Sequence, residues 1–122
     1  MNKLFEELYL IAVMDRKHSP WSQQQTFSER AQMLQDEVEE IMEAIKSQDP
    51  ENLREELGDV IWDALTIAAI AEEKGLFTPD EILNHTISKI KLRKPHIFTG
   101  EKVPIEEESR RWMEAKLKDK LA

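Results

Sequence analysis

The sequence predicts an all-α protein on three observations. Strong helix formers dominate, apolar residues recur in steps of four and three, and capping signals punctuate the chain. Only 3 Gly and 5 Pro interrupt 122 residues. A first helix is expected from Asn2 to about Asp15, with Leu4, Leu8, Ile11 and Ala12 on one face, ended by the stretch Lys17 to Trp21. Thr26 and Glu29 have the spacing of a capping box. The helix they open carries Phe27, Ala31, Leu34, Val38, Ile41 and Ile45, the seam of a packed bundle helix. Asp49 and Pro50 restart the chain as N-cap and first helical residue. Leu53, Leu57, Val60, Ala64, Ile67 and Ala71 repeat the spacing, and Gly75 supplies the stop. Thr78-Pro79-Asp80-Glu81 opens a helix that ends near Lys94-Pro95, and Pro104 starts a charged last helix to about Leu121. Short connections argue for an antiparallel helical bundle forming a single domain over residues 1–122.

Composition narrows the function. The net charge of −8, with 25 acidic against 17 basic residues, opposes binding to nucleic acid or to an anionic membrane, which rests on Lys and Arg neutralising phosphates. With no cysteine, disulfides, thiolate zinc sites and cysteine nucleophiles are excluded. Residues 1–14 lack the pattern of a signal peptide, and the apolar run Val60 to Ala71 is too short to span a bilayer, so a cytoplasmic setting is expected. A chain of this length builds a modest core, so association between copies would help it.

The acids on the two central helices suggest chemistry. Glu37 and Glu40 are three apart and leave one face of one helix beside its apolar seam. Glu56, Asp59 and Asp63 form a second line along the next helix, in otherwise apolar surroundings from Leu57 to Ala71. A carboxylate there is expensive to bury without compensation. If the two helices pack antiparallel, both lines converge and need divalent cations between them. Taken alone, Glu37 and Glu40 also fit a solvated face of the run Asp36 to Glu43; Asp59 and Asp63 favour the metal site. Oxygen-only donors suit Mg²⁺ or Mn²⁺, and Glu-x-x-Glu with Glu-x-x-Asp is not the Glu-x-x-His pairing of a di-iron bundle. Lys89 and Arg93, four apart, then His96, Trp112 and Lys116, offer cations and an aromatic for a polyphosphate attached to a flat base. Lys and Arg late in a helix also simply favour its dipole, and Trp112 also suits a core or interface position.

These segments resemble one family. Asp36-Glu37-x-x-Glu40 followed by Glu56-x-x-Asp59 resembles the EExxE…ExxD signature of the MazG-type all-α nucleotide pyrophosphohydrolases. Pro20-Trp21-Ser22 with Gln25-Thr26 is similar to its CPWD…QTH segment, and Glu55-Glu56-Leu57-Gly58-Asp59 to its EELGD core. Ala71 to Phe77, Lys89 to Phe98 and Trp112-x-Glu114-x-Lys116 resemble the segments that follow, so the likeness runs from about residue 13 to 120. It implies a homodimer or homotetramer of helical bundles, and Mg²⁺-dependent hydrolysis of NTPs or dNTPs to a monophosphate and pyrophosphate, with Mn²⁺ a possible substitute. By position, Glu37, Glu40, Glu56 and Asp59 would be metal ligands, Lys89 and Arg93 would bind phosphates, and Trp112 and Lys116 would contact the nucleotide. Trp21 would border the base by resemblance, and equally suits a core or interface position. Asp36 stands where the family has Glu, Phe27 and Lys94 where it has His, and Ser19 where it has Cys; only the role of Asp36 is affected.

Glu40 and Asp59 are the candidates to accept a proton from the attacking water, and Lys89 and Arg93 to steady the leaving pyrophosphate. No Gly-rich phosphate loop is present, so metals and side chains must perform that work. The competing expectation is a catalytically idle helical regulator that binds nucleotide or protein; keeping five acids beside the core argues against it.

Overall fold

The computed structural model describes residues 2–121, which form seven helices and no strand among the described residues. The helices group into two compact units, Met1–Pro79 and Asp80–Ala122. The first holds α1 (Asn2–His18), α2 (Pro20–Gln24), α3 (Phe27–Lys46) and α4 (Pro50–Glu73); the second holds α5 (Pro79–Arg93), α6 (His96–Thr99) and α7 (Ile105–Leu121).

The helix boundaries follow local chemistry. The first helix runs three residues past the expected end, to His18, because nothing before Pro20 obstructs the backbone ladder. Ser19, the residue before proline, is extended (φ −101°, ψ 112°), and its hydroxyl accepts from the Ser22 amide to cap α2. The stretch read as a break is therefore a helical corner. Thr26 Oγ1 accepts from the Glu29 amide at 3.2 Å, and the Asp49 carboxylate accepts from the Asn52 amide at 3.1 Å, as the capping signals require. At the end of α4, Gly75 (φ 70°) donates to Glu72 and Leu76 donates to Ala71, a Schellman closure. The end of α3 closes the same way with Gln48 at φ 55°, a left-handed position without glycine that the sequence did not advertise.

In the first unit α4 is the shared element, with α3 and α1 both packed on it. Its last turns supply most of the core: Ala68, Ala69, Ile70 and Ala71 are buried, with Ala12 from α1 and Ala44 from α3. Small residues allow close approach of the helices. Arg16 ties the corner together: it reaches both carboxylate oxygens of Glu73 at 2.8 and 2.9 Å and donates to the Ser22 carbonyl.

The expected seams are only half right. Phe27, Leu34 and Ile41 on α3, and Leu53, Val60 and Ile67 on α4, are half-buried. The alternate positions Ala31, Val38 and Ile45, with Leu57 and Ala64, are exposed. What α3 buries is the neighbouring line, with Arg30 and Ala44 each 1 % exposed and Glu37 half-buried between them. The helix is rotated so that its acidic edge, rather than its apolar seam, faces its neighbour.

Candidate metal centre

The rotation of α3 is what assembles the acids. Across the α3–α4 contact, rising residue numbers in one helix meet falling numbers in the other: Arg30 meets Asp63, and Glu37 meets Glu56. Glu37, Glu56 and Asp59 each present a carboxylate oxygen within 4.8 Å of the others. Glu56 is buried at 7 % exposure, with the carboxyls of Glu37 and Glu40 beside it. Glu40 itself stands at the open edge of the group.

The electrostatics show an anionic group lacking a counter-charge. The hydrogen bond from Glu56 lowers the Glu37 pKa, but burial and repulsion from Glu40, Asp59 and Asp63 outweigh it, leaving Glu37 above the usual carboxylate range. Hydrogen bonding and repulsion with Glu56 raise Glu40, and hydrogen bonding to Glu37 raises Glu56. The buried Oε2 atoms of Glu37 and Glu56 find no donor among the described residues. Carboxyl oxygens drawn together, two of them buried without a donor among the described residues, fit a hard divalent cation such as Mg²⁺ or Mn²⁺.

Asp63 belongs to a different arrangement. It is 3 % exposed, and its charge is met at 3.2 Å by Arg30, itself 1 % exposed. Burial raises the Asp63 carboxyl and Arg30 pulls it back. The buried charge that seemed to require a metal is thus compensated by a protein cation. Trp21, 55 % exposed, lies over the Arg30 guanidinium at 5.7 Å. Nothing in the apolar seam or the acidic motif marks Arg30 as the partner of Asp63. The signal lies elsewhere: Arg30, Glu37 and Ala44 are spaced by sevens along one face. Asp36 is exposed and accepts a hydrogen bond from Gln32 at 3.1 Å.

In the second unit one expected cation, Arg93, lies over the Trp112 ring at 4.9 Å, together with Lys94 at 5.9 Å. Arg93 donates to Asp119 at 2.8 Å, while Glu108 takes both Lys94 at 2.8 Å and His96 Nε2 at 3.0 Å. Lys94, then His96, hold Glu108 below the usual carboxylate range. Neither acid of α7 was singled out in the sequence, where the helix reads as a uniformly charged surface. Lys89 is half-buried, Lys116 is exposed, and neither forms an ion pair among the described residues.

Comparison with known proteins agrees with the motifs. Residues 25–98 match the MazG nucleotide pyrophosphohydrolase domain. A nucleoside triphosphate pyrophosphohydrolase of Mycobacterium tuberculosis is 33 % identical over 114 residues, 90 % of this chain and 35 % of that protein. The nucleoside triphosphate pyrophosphohydrolase/pyrophosphatase MazG of Thermotoga maritima is 35 % identical over 99 residues, 78 % of this chain and 38 % of the relative. The chain thus spans roughly a third of the length of these curated relatives. A crystal structure of a mazG-related protein from Thermotoga maritima superposes with a TM-score of 0.82 at 36 % identity, covering 91 % of this chain and 97 % of that one. Motifs, fold and acidic cluster therefore agree, and the chain belongs to the MazG nucleotide pyrophosphohydrolase family.

Proposed function

We propose that the protein is a metal-dependent pyrophosphohydrolase that cleaves NTPs or dNTPs to the monophosphate and pyrophosphate, as nucleotide-pool housekeeping in the cytoplasm. The observation that carries this reading is the convergence of Glu37, Glu56 and Asp59, with buried oxygens lacking donors, on helices that match the family. Relatives named as nucleoside triphosphate pyrophosphohydrolases support the reaction class. No described helix is long and apolar enough to cross a membrane, and the acidic balance disfavours nucleic acid as a partner.

Glu37, Glu40, Glu56 and Asp59 would hold Mg²⁺, with Mn²⁺ as a substitute. When bound, such a cation supplies charge neutralisation on the polyphosphate and acidification of water. Glu40 or Asp59 accepts the proton of the attacking water; a carboxyl raised above its ordinary range, as Glu40 is, makes the stronger base near neutral pH. Lys89 and Arg93 bind phosphate oxygens, with Arg93 exchanging its Asp119 partner for the substrate. Trp112 and Lys116 contact the nucleotide. His96, Trp21, Asp36 and Asp63 are the secondary candidates for this site. Residues 1–122 would serve as a single functional domain, in a homodimer or homotetramer of antiparallel helical bundles. Support for assembly comes from the exposed side chains Val38 (44 %), Met42 (64 %), Ile45 (60 %), Leu57 (47 %) and Ile61 (40 %) on α3 and α4.

Glu40→Gln tests the reading. The side chain lies at the open edge, so the substitution should leave metal-free thermal stability largely intact. Turnover of every nucleotide should fall at least about 100-fold, the weight of a general base. A variant with full activity would show the ligand and base assignment to be wrong, and would reopen the idle-regulator reading.

A further inference from the structure

Along the α3–α4 contact, two side-chain rungs of opposite character lie in series. Arg30 precedes Glu37 by seven residues on α3, and Asp63 follows Glu56 by seven on α4. Seven residues are two helical turns, about 10.5 Å. The Arg30–Asp63 rung therefore repeats the Glu37–Glu56 rung two turns further along the same groove. The first is attractive: a 3.2 Å ion pair between side chains 1 % and 5 % exposed. The second is repulsive: Glu37, Glu56 and Asp59 bring carboxylate oxygens within 4.8 Å of one another, with Glu40 beside them and no cation paired to them among the described residues.

Buried repulsion pushes helices apart, and a cation site needs its ligands at a fixed spacing before the cation arrives. Something must hold α3 and α4 together in the metal-free protein. Ala44 is buried on one side of the cluster, and beyond Asp63 the buried run Ala68 to Ala71 closes the far end of α4. Between that core and the acids, the ion pair is the side-chain link that joins α3 to α4, and the ring of Trp21 lies over its guanidinium at 5.7 Å. An ion pair sunk this deeply is weakly stabilising at best, since desolvation offsets attraction. Its presence is better explained by geometry than by stability.

We propose that Arg30 and Asp63 are positioning residues: their buried ion pair fixes the α3–α4 spacing at which Glu37, Glu56 and Asp59 receive a divalent cation. Asp63 is then a strut held by Arg30 and does not itself touch the cation. This inference rests on the cluster being a cation site.

Mn²⁺ binding, followed by calorimetric titration and by electron paramagnetic resonance of the free ion, separates the possibilities. The informative variant is Arg30→Met/Asp63→Leu, which removes the pair without changing net charge and fills the space with apolar groups. Its metal-free melting temperature should equal or exceed that of the parent protein. Its Mn²⁺ affinity should nonetheless fall at least tenfold, a loss that a merely structural role would not produce. Arg30→Lys keeps the charge but loses the planar fork, and should weaken Mn²⁺ at least threefold; it stands in if the double variant does not fold. Parent-like affinity in either variant overturns the proposal. So does tighter binding in Arg30→Met, which would make Asp63 a ligand that Arg30 withholds. If the unsubstituted protein binds no Mn²⁺, the cation site itself fails, a result distinct from the others.

Discussion

Glu56→Gln should abolish divalent-cation binding and, in the same protein, raise the melting temperature of the metal-free form. Glu56 is the buried member of the group, with the carboxyls of Glu37 and Glu40 beside it. An amide in its place removes a charge from a crowded anionic centre and brings N–H donors to oxygens that have none. The cation, however, loses its most enclosed ligand, and affinity should drop by at least about 100-fold, the upper end of what even supporting contacts cost. The pH dependence follows from the same carboxylates. Glu37, Glu40 and Glu56 all hold their protons more tightly folded than free. The folded chain therefore carries the extra protons above the ordinary glutamate value of about 4.3, and metal-free stability declines as pH rises through their folded values. Glu73, Glu107 and Glu108 are shifted the other way, so their contribution fades in more acidic solution. Metal-free protein should thus melt at a higher temperature in mildly acidic than in neutral buffer, and Mg²⁺ should reverse the trend. Scanning calorimetry with EDTA or Mg²⁺ checks both statements, and Glu56→Gln should flatten the slope.

The second large effect concerns assembly. On α3 and α4 the positions left exposed are the alternate members of the apolar seams: Val38 and Ile45 on one helix, Leu57 and Ala64 on the other, with Met42 and Ile61 beside them. Burying one such isoleucine is worth about 1.5–3 kcal/mol, and a carboxylate in its place reverses the sign. Ile45→Asp should weaken self-association by two or more orders of magnitude. In sedimentation at micromolar concentration the parent chain should run at a multiple of 14.3 kDa, and the variant at that mass itself. If the parent sediments as a single chain, the exposed seams have another explanation.

The same seams show what a sequence can and cannot convey. Helix existence and most boundaries were legible because caps are local: Thr26, Asp49 and Gly75 act within one turn, and each does in the structure what its residue type suggests. Gln48 at a left-handed position was invisible, since glycine is the usual marker. Rotation of α3 about its axis was harder to read. Apolar periodicity identifies a face that avoids water, but not whether a neighbour in the chain or another copy covers it. The acids were readable as a group through their spacing on two helices, and the family motifs named the same residues. Asp63 reads as part of that group because a buried carboxylate calls for a cation; the cation is Arg30, which lies outside both the apolar seam and the acidic motif. Similarly, the cationic residues Arg93, Lys94 and His96 were visible, whereas their partners Asp119 and Glu108 lay hidden in a helix charged on every face.

Under the proposed function, this chain would hydrolyse nucleoside triphosphates at the carboxylate cluster with a divalent cation. Product analysis on a panel of NTPs and dNTPs, in Mg²⁺, Mn²⁺ or EDTA, tests it most directly. The expected result is equimolar monophosphate and pyrophosphate with either metal and none with EDTA. Release of orthophosphate with a diphosphate product, or turnover undiminished by EDTA, would contradict it.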